Sequence, residues 1–277
     1  MLRLLKALIL AVALLAHRWG HAVPWRGDVV YRARVSEKLA ALTFDDGPHP
    51  EFTPAILDIL ERYGVRATFF MVGSSVELYP EIAKEVWERG HAIGNHTYTH
   101  PANLELLPDW AIRREVERSA EAIERATGER PVLFRPPRGR FGSKAAAVLS
   151  GAHQKVVLWT VSADHHEAKT PHEMAERVLR LIRPGAIVLL HDGSTPARWK
   201  DVVATSMLIE ALRKRGYRLV TVPELLRSEL KEMSSRRDDV QRGAGGPPSS
   251  SGRRSPGAKA RRGITPNRSS ARAAVSA

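Results

Sequence analysis

The chain has 277 residues, 43% of them apolar and 26% charged, which suits one folded domain of about 200 residues plus extensions and excludes a multi-span membrane protein or a wholly disordered chain. With no cysteine and eleven histidines, there is no disulfide framework, thiolate nucleophile or cysteine-based zinc site, so a metal would be held by His, Asp or Glu. The formal charge of +13 is uneven: Ser234 to Ala277 carries ten Lys/Arg against two Asp, a net of +8, leaving +5 for the other 233 residues.

At the amino end, Arg3 and Lys6 precede an apolar run from Ala7 to Ala16, and small residues lead to Ala22. This pattern predicts a secretory signal cut after Ala22, or an uncleaved membrane anchor with its positive end in the cytoplasm; either way the domain is extracytoplasmic. An exported enzyme has no ATP supply, which favours hydrolysis. Residues 23–38 read as a lead-in segment, 39–233 as the catalytic domain, and 234–277 as a disordered basic tail poor in large apolar residues. The tail can attach electrostatically to an anionic cell-surface polymer or simply be solvated. No nucleic-acid partner is expected, because the charge lies outside the domain and no recognition helix or basic–aromatic interleaving is visible.

From Leu39, short apolar or β-branched runs alternate with helical patterns. Strands are predicted at 39–45, 67–72, 91–95, 132–134, 155–161, 186–191 and 218–222. Helices are predicted at 53–63, 79–89, 108–127, 143–150, 171–182, 200–215 and 223–233. Gly64, Gly90, Gly128, Gly151, Gly185 and Gly216 follow helical stretches, where left-handed caps are expected. The alternation predicts an α/β fold with parallel strands, a complete or incomplete barrel of seven or eight units, with chemistry in the loops after the strands.

Those loops are where the polar residues gather. The first strand ends in Thr43-Phe44-Asp45-Asp46-Gly47-Pro48, two adjacent carboxylates that repel unless a cation lies beside them. The third leads into His96-Thr97-Tyr98-Thr99-His100, imidazoles four apart that can share an ion if the loop turns tightly. Asp46, His96 and His100 would give three protein ligands with positions left for water, the pattern of a hydrolytic zinc site. Arg135-Pro136-Pro137-Arg138-Gly139 follows the fourth strand, where Arg135 can fork onto a carboxylate. His191 and Asp192 end the run Ala186 to Leu190.

In this order the motifs resemble the polysaccharide deacetylase family, carbohydrate esterase family 4, over about Leu39 to Leu230. The resemblance implies a distorted (β/α)7-8 barrel that removes N-acetyl groups, sometimes O-acetyl groups, from sugars with Zn2+ or another divalent ion such as Co2+ or Mn2+. It implies Asp45 as general base, Asp46, His96 and His100 as metal ligands, Arg135 as the residue orienting Asp45, and His191 as general acid. The backbone N–H of Arg138 would help hold the oxyanion, with Pro137 and Leu189 in the same motifs on the substrate side. The expected substrate is peptidoglycan, with chitin-like oligomers next; the alternatives are a catalytically weakened glycan-binding relative and a basic nucleic-acid binder.

The sequence departs from the family at Trp159 to His166. Ser162 stands where an Asp usually tunes the acid histidine, and His165-His166 replace an Asp-Trp pair. Asp164 would substitute if the backbone shifts; with no substitute, a lower optimum pH is expected. Loss of Trp at 166 removes a wall of the expected pocket. Arg138 can meet an anionic group such as a lactyl carboxylate or contribute backbone alone, and Trp199 can stack on a sugar or pack the start of a helix.

Overall fold

The computed structural model describes residues 29–244 apart from 165, 167 and 194, with side chains through 238. The predicted export segment and the tail beyond 244 lie outside the described residues. Among those described, no helix is long and apolar enough to cross a membrane.

Among the described residues, eight strands form one parallel sheet in a distorted barrel. They are β1 (Leu39–Asp45), β2 (Thr68–Met71), β3 (Ala92–Asn95), β4 (Leu133–Phe134), β5 (Lys155–Val156), β6 (Val161–Ser162), β7 (Ala186–His191) and β8 (Arg218–Leu219). Their order is β5-β4-β3-β2-β1-β7-β6, with β8 paired to the start of β1. The helices are α1 (Phe52–Arg62), α2 (Gly73–Leu78), α3 (Pro80–Glu88), α4 (Asp109–Thr127), α5 (Ser143–Gly151), α6 (Pro171–Leu181), α7 (Trp199–Lys214) and α8 (Val222–Ala244).

Strand alternation sorts side chains into two layers. On β1, Ala40, Leu42 and Phe44 face outward and join Ile56, Leu57 and Leu60 of α1 with Leu208, Ile209 and Leu212 of α7. Leu39 and Ala41 face inward with Phe70, Leu133 and Ile187. Continuing that inner face, Thr43 and Asp45 follow Ala41, Arg135 follows Leu133, and Leu189 and His191 follow Ile187. The pairings Asp45 with His191 and Asp45 with Phe70 bring these strand ends level. The inner core is therefore apolar at the amino ends of the strands and polar at the carboxyl ends, where the chemistry of a parallel barrel belongs.

Several predicted elements differ from what forms. The expected strand at 155–161 is two short strands, because the carbonyls of Val157 and Leu158 accept Nε and Nη2 of buried Arg135 at 3.0 Å each. The lead-in segment helps close the sheet: Val30 bridges Val157 in parallel and Arg32 bridges Ala186 antiparallel. Helix α2 was not expected. The last helix does not stop at Met233 but continues to Ala244, into the stretch expected to be disordered; Glu232 within it accepts the backbone N–H of Ser36 at 2.9 Å and pairs with Arg236 one turn on. Of the expected caps, five glycines have positive φ, but Gly151 lies inside α5 and His153 takes the left-handed conformation.

Candidate active site

Adjacent residues on a strand point to opposite faces, so Asp45 and Asp46 could not share a site if β1 simply continued. It does not: Asp46 has φ of 77°. The same device recurs in the loop after β3, where Thr97 and His100 have φ of 68° and 54°. Residues other than glycine rarely take this conformation, and its clustering here fits a site held in place by its surroundings. Asn95 Oδ1 accepts the N–H of Thr97 at 2.9 Å. Glu115, reaching in from α4, accepts the N–H groups of Tyr98 and Thr99 at 3.0 and 2.8 Å.

These turns bring Asp46, His96 and His100 together. Asp46 Oδ1 lies 3.5 Å from His96 Nε2 and 3.3 Å from His100 Nε2, and the three donor atoms lie within 4.8 Å of one another. Ligands at ordinary zinc distances around a tetrahedral ion are separated by about 3.3 Å, so the set fits a divalent cation. The imidazole orientation agrees. His96 Nδ1 is 2.6 Å from the Arg135 carbonyl, which can only accept, so Nδ1 carries the hydrogen and Nε2 presents its lone pair. Burial alone would raise the Asp46 carboxyl, but His96, His191 and His100 hold it well below the usual range. Burial and His96 lower His100, which keeps it neutral and able to ligate.

Asp45 is 3% exposed and 3.8 Å from His96 Nε2. Fully buried Arg135 donates Nη1 to its Oδ1 at 2.7 Å and to Thr43 Oγ1 at 2.8 Å. The Thr43 hydroxyl in turn donates to the Val188 carbonyl. The guanidinium also lies 4.0 Å above the Phe70 ring. Nε, Nη1 and Nη2 thus all have acceptors, fixing Asp45 with one oxygen paired and the other toward His96.

Across the mouth, His191 Nδ1 lies 3.0 Å from Asp164 Oδ2. The carboxylate sits beside the ring nitrogen, although Nδ1 finds no well-aligned hydrogen-bond acceptor. Burial disfavours the imidazolium, but Asp164 and then Asp45 outweigh it and raise the His191 pKa. Asp164 is held by Ser162 Oγ at 2.8 Å and Arg198 Nη1 at 2.7 Å. Burial would raise its carboxyl, yet His191, Ser162 and Arg198 hold it far below the usual range. The condition for a lowered pH optimum, that nothing replaces the missing Asp at 162, is therefore not met. Asp201 in α7 accepts the His191 backbone N–H at 3.0 Å. Asp164, His191 and Asp201 also converge as metal ligands might, but Arg198 already supplies the cation, 2.7 Å from Asp164 and 3.7 Å from Asp201.

The remaining expected residues divide. Arg138 is exposed with φ of 57°, while the N–H groups of Gly139 and Arg140 turn back onto the carbonyls of Pro136 and Pro137. Pro137 and Leu189 are buried, so Leu189 supports the floor one layer below His191 and presents little surface to a ligand. Trp199 is 54% exposed at the first residue of α7 and so does not pack the start of the helix. His166 is exposed. Thr43 and Asp192 lie within the motifs but were given no role there. Thr53, Glu115, Arg198 and Asp201 were not singled out at all; each stands alone in sequence, and only its partner in space gives it meaning.

A parallel barrel whose strand ends present an Asp-His-His cluster beside an arginine-bound Asp defines a class, and the chain belongs to the polysaccharide deacetylase family. A sequence model of that family matches residues 32–157. Among its relatives, the chain is 37% identical over 203 residues to a peptidoglycan-N-acetylglucosamine deacetylase of Bacillus cereus, an alignment covering 73% of this chain and 94% of the relative. It is 33% identical to a chitooligosaccharide deacetylase of Azorhizobium caulinodans, covering 69% and 97%. In structure it is similar to the peptidoglycan deacetylase PdaC of Bacillus subtilis, with TM-score 0.66 and 32% identity over 74% of this chain and 98% of that one. It is also similar to a carbohydrate esterase family 4 pseudoenzyme of Bacillus anthracis, with TM-score 0.68 and 31% identity over 74% and 70%.

Proposed function

We propose that this protein is an exported, metal-dependent hydrolase that removes N-acetyl groups from amino-sugar polysaccharide, peptidoglycan first and chitin-like oligomers second. The observation that carries this reading is the convergence of Asp46, His96 and His100 within 4.8 Å, with arginine-bound Asp45 on one side and His191, paired with Asp164, on the other. A divalent cation bound by those three ligands would polarise the acetamide carbonyl and acidify a water molecule. Asp45, held by Arg135, takes the proton of the attacking water. The backbone N–H of Arg138 helps stabilise the oxyanion. His191, whose pKa Asp164 raises, protonates the sugar nitrogen, which otherwise leaves badly. Acetate and a free amine result.

Exposed Trp199, at the start of the helix that follows the His191 loop, suits stacking against a sugar face, and exposed Arg138 suits a carboxylate on the glycan. Peptidoglycan as the substrate agrees with the names of the relatives and with the leader read at residues 1–22, which would deliver the domain to the cell wall as a secreted or anchored protein. Acetate release measured on peptidoglycan, chitopentaose and acetylated xylan tests the reading. The expected ranking is peptidoglycan above chitopentaose, with acetylated xylan lowest; release from none of them overturns it.

The likeness to a pseudoenzyme favours one second reading, a glycan-binding relative that turns over poorly. Asp45, Asp46, His96, His100 and His191 with their partners all argue for turnover. Acetate release that stops on chelation and returns with Zn2+ or Co2+ would exclude the weakened form.

A further inference from the structure

Asp192, the residue after the proposed acid, is buried and has no part in the reaction described above. Both its oxygens are used on the loop that carries Asp46. Oδ1 accepts the N–H of Gly47 at 3.1 Å and Oδ2 accepts the Thr53 hydroxyl at 2.6 Å. The Thr53 oxygen in turn accepts the N–H of His49 at 2.8 Å, so a single carboxylate fixes the loop at both ends. The Asp192 N–H donates to the Asp45 carbonyl at 3.0 Å. The fit leaves no slack: a Cβ on Gly47 would lie 2.2 Å from Asp192 Oδ2, and one on Gly193 would lie 2.2 Å from the Asp46 carbonyl oxygen.

The loop needs such a clasp because Asp46 has φ of 77°, which a side-chain-bearing residue keeps only when its surroundings impose it. We propose that Asp192 is a positioning residue for the metal: through Gly47 and Thr53 it holds Asp46 in the one backbone conformation that turns its carboxylate toward His96 and His100. The inference rests on the metal-site reading above and concerns affinity for the ion, not the chemistry.

The test is the Zn2+ dissociation constant of the full chain, measured by competition with a chromophoric chelator. Asp192→Ala is expected to bind about 10- to 100-fold more weakly than the parent. Asp192→Asn, which keeps an acceptor for Gly47 but turns an amide toward Thr53, falls between. Thr53→Val also weakens binding and serves as the test should Asp192→Ala not fold, while Thr53→Ser restores the parental value. Leu60→Ala, a core truncation in α1, should lower the melting temperature without weakening zinc binding. Parental affinity in both Asp192→Ala and Thr53→Val, or equal weakening in Leu60→Ala, overturns the proposal. A parent that takes up no zinc overturns the metal reading itself, and this inference with it.

Discussion

Asp164 stands two positions beyond the place where a carboxylate was sought, yet its Oδ2 reaches within 3.0 Å of His191 Nδ1. The sign of its effect follows from the role proposed for His191. A general acid works in its protonated form, so the alkaline limb of the pH–rate profile marks loss of that proton. Asp164 raises the His191 pKa and moves the limb upward; Asp164→Asn should bring it down, losing more turnover at pH 8 than at pH 6. Arg198, Asp45 and the Asp201 carboxylate remain in that variant, and Ser162→Asp added to it should move the limb back up. Profiles of kcat against pH for the three proteins check this, and an unmoved limb in Asp164→Asn would refute the pairing. At Asp45 the expectation concerns rate alone: Asp45→Asn should lower kcat by about 10²–10⁴-fold while zinc, held by Asp46, His96 and His100, stays bound. Single-turnover kinetics together with metal analysis separate the two effects.

Among the elements, β2 and β3 carry a built-in response to acid. His91 precedes β3, is 3% exposed, accepts the N–H of Ala67 at Nδ1 and packs edge-on against Phe69. Burial, with Arg89 and Arg66 nearby, pulls its pKa down to about 4, against 6.5 for a free imidazole. A depressed folded-state pKa means that stability is fully present above 6.5 and lost as pH falls toward 4, by up to about 3 kcal/mol. His91→Gln, which keeps an acceptor for Ala67 without titrating, should flatten the dependence of unfolding free energy on pH across that window; urea melts at pH 7, 5.5 and 4.5 would show it. What was legible among the elements follows from local chemistry. β1 and β7 have the predicted bounds because each is a buried run, wholly apolar in β7 and interrupted only by Thr43 in β1, that ends at an ionisable residue. The break between β5 and β6 was not legible, since nothing in residues 155–161 announces that two carbonyls will be diverted to the arginine that follows β4. Gly151 looked like a cap, but α5 runs one residue further and His153 makes the turn.

Across the whole molecule, the site is assembled from four strand ends, and its principal residues were readable because each ends an apolar run with a group that carries chemistry. Their supports were not, because Asp192, Thr53, Glu115 and Arg198 act only through residues distant in sequence. The carboxyl end divides in the same way. Val222, Leu225 and Leu226 of α8 are in the core, and Glu229 and Glu232 clasp the lead-in backbone at Arg34 and Ser36. A chain ending at Ala244 should therefore keep the parental melting temperature and turnover on neutral chito-oligomers, whether the tail attaches to anionic polymer or is simply solvated. Calorimetry and acetate assays on the truncated chain check this, and loss of turnover would place an essential residue in the tail.

Bound zinc and acetate release, measured together on the parent and on His96→Ala after chelation and after zinc is returned, decide the claim that Asp46, His96 and His100 bind one divalent ion on which hydrolysis depends. The parent should hold one equivalent of zinc and should lose and regain release along with it, while His96→Ala should bind weakly and stay inactive. Release that persists in the chelated parent, or in His96→Ala without zinc, would contradict the claim.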